Sequence, residues 1–144
     1  MALSTADQYV EFGIGQEQYA VQIQDVHEII RVQEITKLPH TSSYVEGVIN
    51  LRGRIVPVIS LRKRFEFESV PPTKRSRIIV INRQEEQVGV LVDYVNKVVR
   101  IHDTQPPPER LGKHNSAFFE GIGKSDSGVV SVLKLDKLFE DESD

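Results

Sequence analysis

The sequence of 144 residues has no cysteine, no tryptophan and a single methionine, and aromatic residues make up only 7% of it. The lack of cysteine excludes a disulfide framework, thiolate metal sites and a cysteine nucleophile. No apolar run approaches the roughly 18 residues that a membrane-spanning helix needs, and residues 1–10 lack the basic and apolar regions of a signal peptide. We therefore expect a cytoplasmic protein that folds without covalent cross-links.

A large excess of charge of one sign is also missing. The chain has 18 basic and 21 acidic residues, which gives a net charge of -3 and a pI near 5.8. A protein that binds polyanions in general usually carries a strong positive excess. The overall charge balance therefore argues against such a protein.

The sequence is rich in β-branched residues, with 19 Val and 13 Ile against 9 Leu. Branching at Cβ favours the pleated surface of a strand over a helix. We expect a mainly β protein with nine or ten short strands. The predicted strands include a hairpin of residues 8–14 and 19–23, and the segments 77–82, 87–92, 95–101, 117–123 and 129–133.

One segment breaks this pattern. Ile23, Val26, Ile29 and Ile30 share one face at helical spacing, and Asp25 precedes Glu28 as in a capping box. This predicts a short helix that ends near residue 31 or 32. Further turns of helix are expected at residues 60–65 and 135–139.

Residues 47–59 form the central feature of the sequence. Two apolar runs flank Arg52-Gly53, which predicts two buried strands joined by a tight turn. Gly53 can adopt a positive φ without steric cost. Pro57 cannot donate a ladder hydrogen bond, so we expect its strand at a sheet edge or at a bulge. Arg52 is then displayed at the tip of a hairpin.

The segment 66–76 loses periodicity and contains Pro71-Pro72, which indicates a boundary between two halves. Small β sets often close into barrels to remove their edges. We expect a first barrel at about residues 15–65 and a second at about 77–139, with strand 8–14 crossing to either. Residues 102–116, with three consecutive prolines, are expected to form a long surface loop.

Catalytic and metal-binding patterns are not evident. The four histidines, at positions 27, 40, 102 and 114, lack metal-ligand spacing, and no phosphate loop or nucleophile elbow occurs. We expect no enzyme activity, no metal and no cofactor.

A locally basic stretch could form a surface that binds nucleic acid. Barrels that bind single strands combine such charge with exposed aromatic rings, and only Phe65 and Phe67 lie near this stretch. A solvated face, or a groove for acidic protein partners, is the favoured interpretation. The basic residues concerned are Arg52, Arg54, Arg62, Lys63, Arg64, Lys74, Arg75 and Arg77.

The sequence resembles the CheW family of bacterial chemotaxis coupling proteins. The matching segments occur in order at residues 26–30, 38–39, 48–62, 88–93 and 132–138, and cover roughly residues 8–139. The run Asn50-Leu51-Arg52-Gly53 with its following apolar strand is the most specific of them. Three positions depart from the family pattern, because Ser60 and Lys134 stand where Asp is common and Glu66 where Gly is frequent.

The resemblance implies a single CheW-like domain made of two SH3-like five-stranded β-barrels packed together, with short helices. It implies a non-catalytic adaptor that joins the cytoplasmic domains of chemoreceptors to the regulatory domain of the histidine kinase CheA, at receptor arrays on the inner membrane. A receptor helical hairpin is expected in the cleft between the barrels. The residues implied in partner binding are Val26, Glu28, Ile30, Asn50, Arg52, Arg54 and Arg62.

Several alternatives stay open at this point. Glu28 could be only a capping residue and Arg52 only a solvated turn residue, and Arg52 could contact receptor, kinase or Glu28 itself. The chain could also be a regulatory domain cut from a kinase or a receiver fusion, or a barrel that binds single-stranded nucleic acid. Binding that weakens steeply with salt would indicate the nucleic-acid binder.

Overall fold

The computed structural model describes residues 8–106, 116–126 and 128–140. They fall into two compact units, one of residues 25–95 and one made by the chain before and after that segment. The strands are β1 Gln8–Ile14, β2 Glu17–Gln22, β3 Val26–Arg31, β4 Val45–Leu51, β5 Arg54–Ser60, β6 Arg77–Arg83, β7 Glu86–Val92, β8 Tyr94–Arg100, β9 His102–Gln105, β10 Phe119–Ser125 and β11 Gly128–Leu133; the short helices are α1 Leu61–Arg64 and α2 Leu135–Leu138. The prediction of a mainly β fold with short helices is confirmed.

The unit of residues 25–95 contains one five-stranded sheet in the order β3-β6-β7-β5-β4. Neighbouring strands are antiparallel except β5 and β7, which run parallel. Valine and isoleucine fill its interior, as the β-branched composition predicts. Its core cluster is Ile49, Leu51, Val56, Val58, Ile78 and Val80, with Ile30, Val32, Ile35 and Leu91 packed against it.

The two edge strands of this sheet are linked by the segment that follows β3. Thr36 exchanges backbone hydrogen bonds with Val48 of β4, at 2.9 and 2.8 Å. The contact requires a glycine at position 47, since a Cβ there would lie 2.1 Å from the carbonyl oxygen of Thr36. Gly47 also has a φ of 147°, which side-chain-bearing residues rarely adopt.

The other unit contains a six-stranded sheet in the order β8-β1-β2-β11-β10-β9, in which β11 and β2 are parallel. Its core cluster includes Ala20, Val99 and Val132. The carboxylate of Glu11 is fully buried here, where it accepts hydrogen bonds from the Asn96 amide at 2.8 Å and the Ser125 hydroxyl at 3.2 Å.

The predicted helix at residues 23–32 was wrong. Only Ile23–Asp25 form a 3₁₀ turn, and Val26–Arg31 form strand β3. Burial along β3 alternates strictly, with Val26, Glu28 and Ile30 more buried than their neighbours. The apolar residues of this segment fit both the helical and the strand period, and pairing with β6, in which residues 78–81 are buried, favours the strand.

The predicted division near residues 66–76 was also wrong. Strands β6 and β7 follow this loop, yet they pair with β3 and β5 inside the unit of residues 25–95. The chain therefore passes between units near residues 24 and 95, where short connections carry no proline or glycine signal. Strand β1 belongs with β2 and β8.

Two further expectations need correction. Residues 102–105 form strand β9, paired with β10, where a loop was expected; residues 107–115 of that expected loop lie outside the described residues. Strand β5 lies inside its sheet although it contains Pro57. The proline is tolerated because the backbone groups of its partner Val48 bond to Thr36, and because pairing with β7 begins only at Val58.

Helix α1 shows how two departures from the family pattern, Ser60 and Glu66, are accommodated. Ser60 caps its start, since the Ser60 hydroxyl accepts from the Lys63 N–H at 3.2 Å. At its end, the Glu66 N–H donates to Lys63 and the Phe67 N–H to Arg62, which is a Schellman motif. Glu66 consequently adopts a φ of 62°, the conformation for which glycine is preferred.

We expect Glu66→Gly to stabilise the protein by about 1 kcal/mol, because glycine adopts the left-handed conformation without a Cβ clash. Urea unfolding measures the change. Glu66→Ala is the matched control, since it removes the same charge but keeps Cβ, and it should leave the midpoint near that of the wild type. Equal stabilisation by both variants would mean that charge, not backbone strain, is responsible.

Candidate functional site

The candidate site is built on the two-residue turn between β4 and β5. The strands stay paired up to Leu51 and Arg54, and both turn residues have positive φ, 52° at Arg52 and 85° at Gly53. This is a type I′ turn, whose first position favours Asn or Gly. An arginine there is strained, and strain of this kind is concentrated at functional sites.

Side chains around the turn hold it in place. The Asn50 side-chain oxygen accepts a hydrogen bond from the Gly53 N–H at 2.8 Å. The Gln33 amide donates to the Asn50 carbonyl at 2.9 Å. These bonds fix the position of the Arg52 backbone before any partner arrives.

Arg52 forms a two-point ion pair with Glu28 of β3. Its Nη1 lies 2.6 Å from Oε1 and its Nη2 lies 2.7 Å from Oε2 of that carboxylate. The two residues are 24 positions apart and lie on opposite edges of the sheet, so the link between these edges brings them together. The Arg52 side chain is nevertheless 68% exposed, against 21% for Glu28.

The ion pair perturbs both groups. The hydrogen bond from Arg52 lowers the pKa of Glu28, partial desolvation opposes this, and the positive charges of Arg52 and His27 add to the lowering. The same hydrogen bond raises the pKa of Arg52. Both side chains therefore stay charged across the physiological range.

An apolar side chain is exposed next to this turn. Ile55 is 67% exposed and lies opposite Asn50 in the hairpin. Arg54, next to the turn, is exposed as well. Ile29 is 39% exposed, but it follows Glu28 in a strand and so faces the other side of the sheet. We call Glu28, Asn50, Arg52, Arg54 and Ile55 the hairpin surface.

Not all of the residues implied in partner binding belong to it. Val26 and Ile30 are partly buried, and Ile30 packs against the core of its unit. Arg62 donates to both carboxylate oxygens of Asp93, with Nη2 to Oδ2 at 2.6 Å, and to the Glu68 carbonyl at 2.8 Å. Arg62 therefore ties the loop after α1 to the end of β7, and we leave it out of the hairpin surface.

Sequence reasoning missed Asp93 and Gln33, whose contacts are long-range. Asp93 directly follows an apolar strand, a position where a carboxylate is available to a cation, but no sequence signal pairs it with Arg62. Gln33 carries no signal at all.

Other members of the basic stretch are also engaged within the fold. Lys63 lies 3.0 Å from the Glu46 carboxylate. Arg64 stacks over the Tyr44 ring at 4.2 Å, and Arg75 over Tyr94 at 4.6 Å. These contacts account for much of the stretch without a nucleic-acid ligand.

The described residues hold no candidate metal cluster and no membrane-spanning helix. Within the described ranges, no three His, Cys, Asp or Glu side chains are grouped so that they could hold a metal ion. The helices of the described part of the chain are all too short and too polar to cross a membrane.

Comparisons with known proteins establish the family of this chain. A family model described as the CheW-like domain matches residues 8–143. The chain belongs to the CheW-like family. The chemotaxis protein CheW of Helicobacter pylori is 35% identical over 133 residues, 91% of this chain and 80% of that protein. The CheW of Bacillus subtilis is 31% identical over 143 residues, 98% of this chain and 92% of that protein.

A solved structure extends the likeness to the fold. The crystal structure of the scaffolding protein TtCheW from Thermoanaerobacter tengcongensis matches with a TM-score of 0.87 and 39% identity, covering 96% of each chain. The SH3-like β fold of the CheW-like family is therefore shown for this chain. The family is one of scaffolds, and this is consistent with a protein that is not an enzyme.

Titration of the Glu28 carboxyl by NMR tests the ion pair. We expect Arg52→Ala to raise its pKa toward the ordinary value of 4.5, because the principal cause of the lowering is lost. Since the folded-state pKa is lowered, the contribution of the pair is present above the unfolded pKa and is lost as the pH falls through the folded one. Arg54→Ala is the matched control, and an equal rise there would contradict the assignment.

The strain in the turn at Arg52 predicts how Arg52→Asn changes the stability of the protein. Asparagine suits the first position of a type I′ turn, while a surface ion pair contributes little to stability. We expect the urea midpoint of this variant to equal or exceed that of the wild type. A clear loss of stability would show that the ion pair outweighs the strain and that Arg52 is retained for the fold.

Proposed function

We propose that this chain is an adaptor in chemotaxis signalling that couples chemoreceptor cytoplasmic domains to the regulatory domain of the histidine kinase CheA. The observation that carries the proposal is the Arg52–Glu28 pair, in which an exposed arginine on a strained turn makes two hydrogen bonds to a carboxylate. The similar proteins are named as chemotaxis and scaffolding proteins, which supports the same role. In this role the protein does not catalyse a reaction.

The guanidinium of Arg52 is suited to fix the position of a partner. It uses two donors for Glu28, and its other N–H groups have no acceptor in the described part of the chain. An arginine offers more donors than one carboxylate can satisfy. Glu28 already restricts the Arg52 side chain. A partner that accepts hydrogen bonds from the remaining N–H groups therefore causes little further loss of side-chain entropy.

Ile55 supplies the apolar part of the contact. Its exposure in the hairpin that carries Arg52 gives the hairpin surface an apolar component next to a charged one. An amphipathic receptor helix can place apolar side chains against Ile55 and polar ones against Arg52. Apolar contact then provides affinity, and the charged pair provides orientation.

The membrane association of the protein follows from this role. We propose that binding to chemoreceptors recruits the chain from the cytoplasm to receptor arrays at the inner membrane. The kinase regulatory domain is bound at the same time, so the adaptor holds kinase and receptor in one assembly.

Isothermal titration with a chemoreceptor cytoplasmic fragment, and separately with the kinase regulatory domain, tests the proposal. We expect the wild type to bind both and Arg52→Ala to lose about tenfold or more in affinity for one, an effect of about 1.4 kcal/mol. Glu28→Ala should weaken binding of the same partner, since it releases the Arg52 side chain.

Arg100→Ala is the matched control, because Arg100 is an exposed arginine on β8 and not part of the hairpin surface. Circular dichroism verifies that each variant is folded. If the wild type binds neither partner, the proposed function fails. If it binds both and Arg52→Ala binds as well as Arg100→Ala, the adaptor role stands and the hairpin surface is not the contact.

A further inference from the structure

A second surface of the unit of residues 25–95 has a different electrostatic character. It is an open groove of about 470 Å³ where the end of β3 meets the start of β6 and the turn before it. None of its lining residues is acidic. They are Arg31, Val32, Thr73, Lys74, Ser76 and Arg77.

The two arginines of this groove lie directly opposite each other on adjacent strands. Arg31 and Arg77 are direct partners in the antiparallel pair of β3 and β6, so their side chains leave the same face of the sheet. Like charges placed directly opposite destabilise a strand pair. The protein as a whole has a net charge of -3, and yet three cations meet here without a carboxylate in the lining.

The turn that carries Lys74 is held firmly. The Thr73 N–H donates to the Ser76 hydroxyl at 2.8 Å, and the Ser76 N–H donates to the Thr73 carbonyl at 3.1 Å. The Arg75 N–H donates to the Thr73 hydroxyl at 3.2 Å. In addition, Nη1 of Arg77 donates hydrogen bonds to the carbonyls of Lys74 and Ser76, at 2.9 and 2.8 Å.

These contacts leave the cations available to a ligand. Arg77 uses only one of its terminal nitrogens for the turn, and both bonds go to neutral carbonyls, so its charge is not neutralised. Arg31 is exposed at the end of β3. The groove thus combines two guanidinium forks and one ammonium on a rigid frame.

We propose that this groove binds a phosphate group, presented as a phosphomonoester. A phosphomonoester carries close to two negative charges at neutral pH and three acceptor oxygens, which suits cations that converge from two strands and a turn. Arginine forks match phosphate oxygens in bidentate fashion, and lysine adds a point charge. The site shares no residue with the hairpin surface, so it is independent of the proposed adaptor contacts.

NMR titration of the full-length protein tests the proposal, with inorganic phosphate, a phosphoserine peptide, and a peptide in which glutamate replaces the phosphoserine. We expect both phosphate probes to shift the amide signals of residues 31 and 73–77. Arg31→Gln should weaken binding by about tenfold, or about 1.4 kcal/mol. Arg100→Gln, an exposed arginine on β8 that is outside the groove, is the matched control.

The pH dependence separates phosphate from carboxylate recognition. The second pKa of a phosphomonoester is near 6, and the six lining residues include no histidine and no carboxylate. Binding of the phosphate probes should therefore strengthen between pH 5.5 and 7.5, two values chosen on either side of that pKa of about 6. The glutamate peptide should bind weakly at both.

Tighter binding of the phosphoserine peptide than of inorganic phosphate identifies a phosphorylated side chain as the ligand, and equal binding identifies a small phosphate compound. The proposal is overturned if Arg31→Gln binds as the wild type does, or if the glutamate peptide binds as tightly as the phosphopeptide. Arg77→Gln is a second variant, used only if its amide spectrum shows an intact Thr73–Ser76 turn.

Discussion

Two backbone hydrogen bonds between Thr36 and Val48 are the contact on which the unit of residues 25–95 depends. Its sheet has β3 at one edge and β4 at the other, and unpaired edges expose backbone groups that need partners. The segment after β3 crosses to β4 and supplies those partners. Only a glycine at position 47 permits this approach, since the Thr36 carbonyl occupies the place of a Cβ.

The hairpin surface is a consequence of that edge-to-edge link. Glu28 and Arg52 lie on opposite edges, and they meet at hydrogen-bonding distance because the edges are joined. The turn then adds a local constraint, because Arg52 occupies a conformation that suits asparagine or glycine. Positioning of the guanidinium is thus determined twice, by the backbone turn and by the carboxylate across the sheet.

Arginines in the same unit differ in whether a carboxylate lies beside them. Arg52 and Arg62 are each matched by a carboxylate from a distant part of the chain. Arg31 and Arg77 are instead placed side by side, and no carboxylate lines their groove. Like charges directly opposite each other destabilise a strand pair, and the groove, unlike the hairpin surface, has no carboxylate of its own to offset them.

Local patterns predicted the local structures well. The hairpins of β1–β2, β6–β7 and β10–β11 follow from alternation and intervening polar turns, and Ser60 caps α1 as its type predicts. The segment of residues 26–31 was misassigned because apolar residues there satisfy both the helical and the strand period. The parallel pairings of β5 with β7 and β2 with β11 were not predicted, since no local signal encodes them.

The sequence by itself determined the β class, the position of the Arg52-Gly53 turn and the family resemblance, because these rest on β-branched composition and on motifs within a few residues. Tertiary structure alone decided that Arg52 pairs with Glu28, that Arg62 pairs with Asp93, and that Arg31 stands opposite Arg77. Each of these contacts joins residues 24 or more positions apart. Their partners are chosen by strand order, which long-range burial of the β-branched core selects.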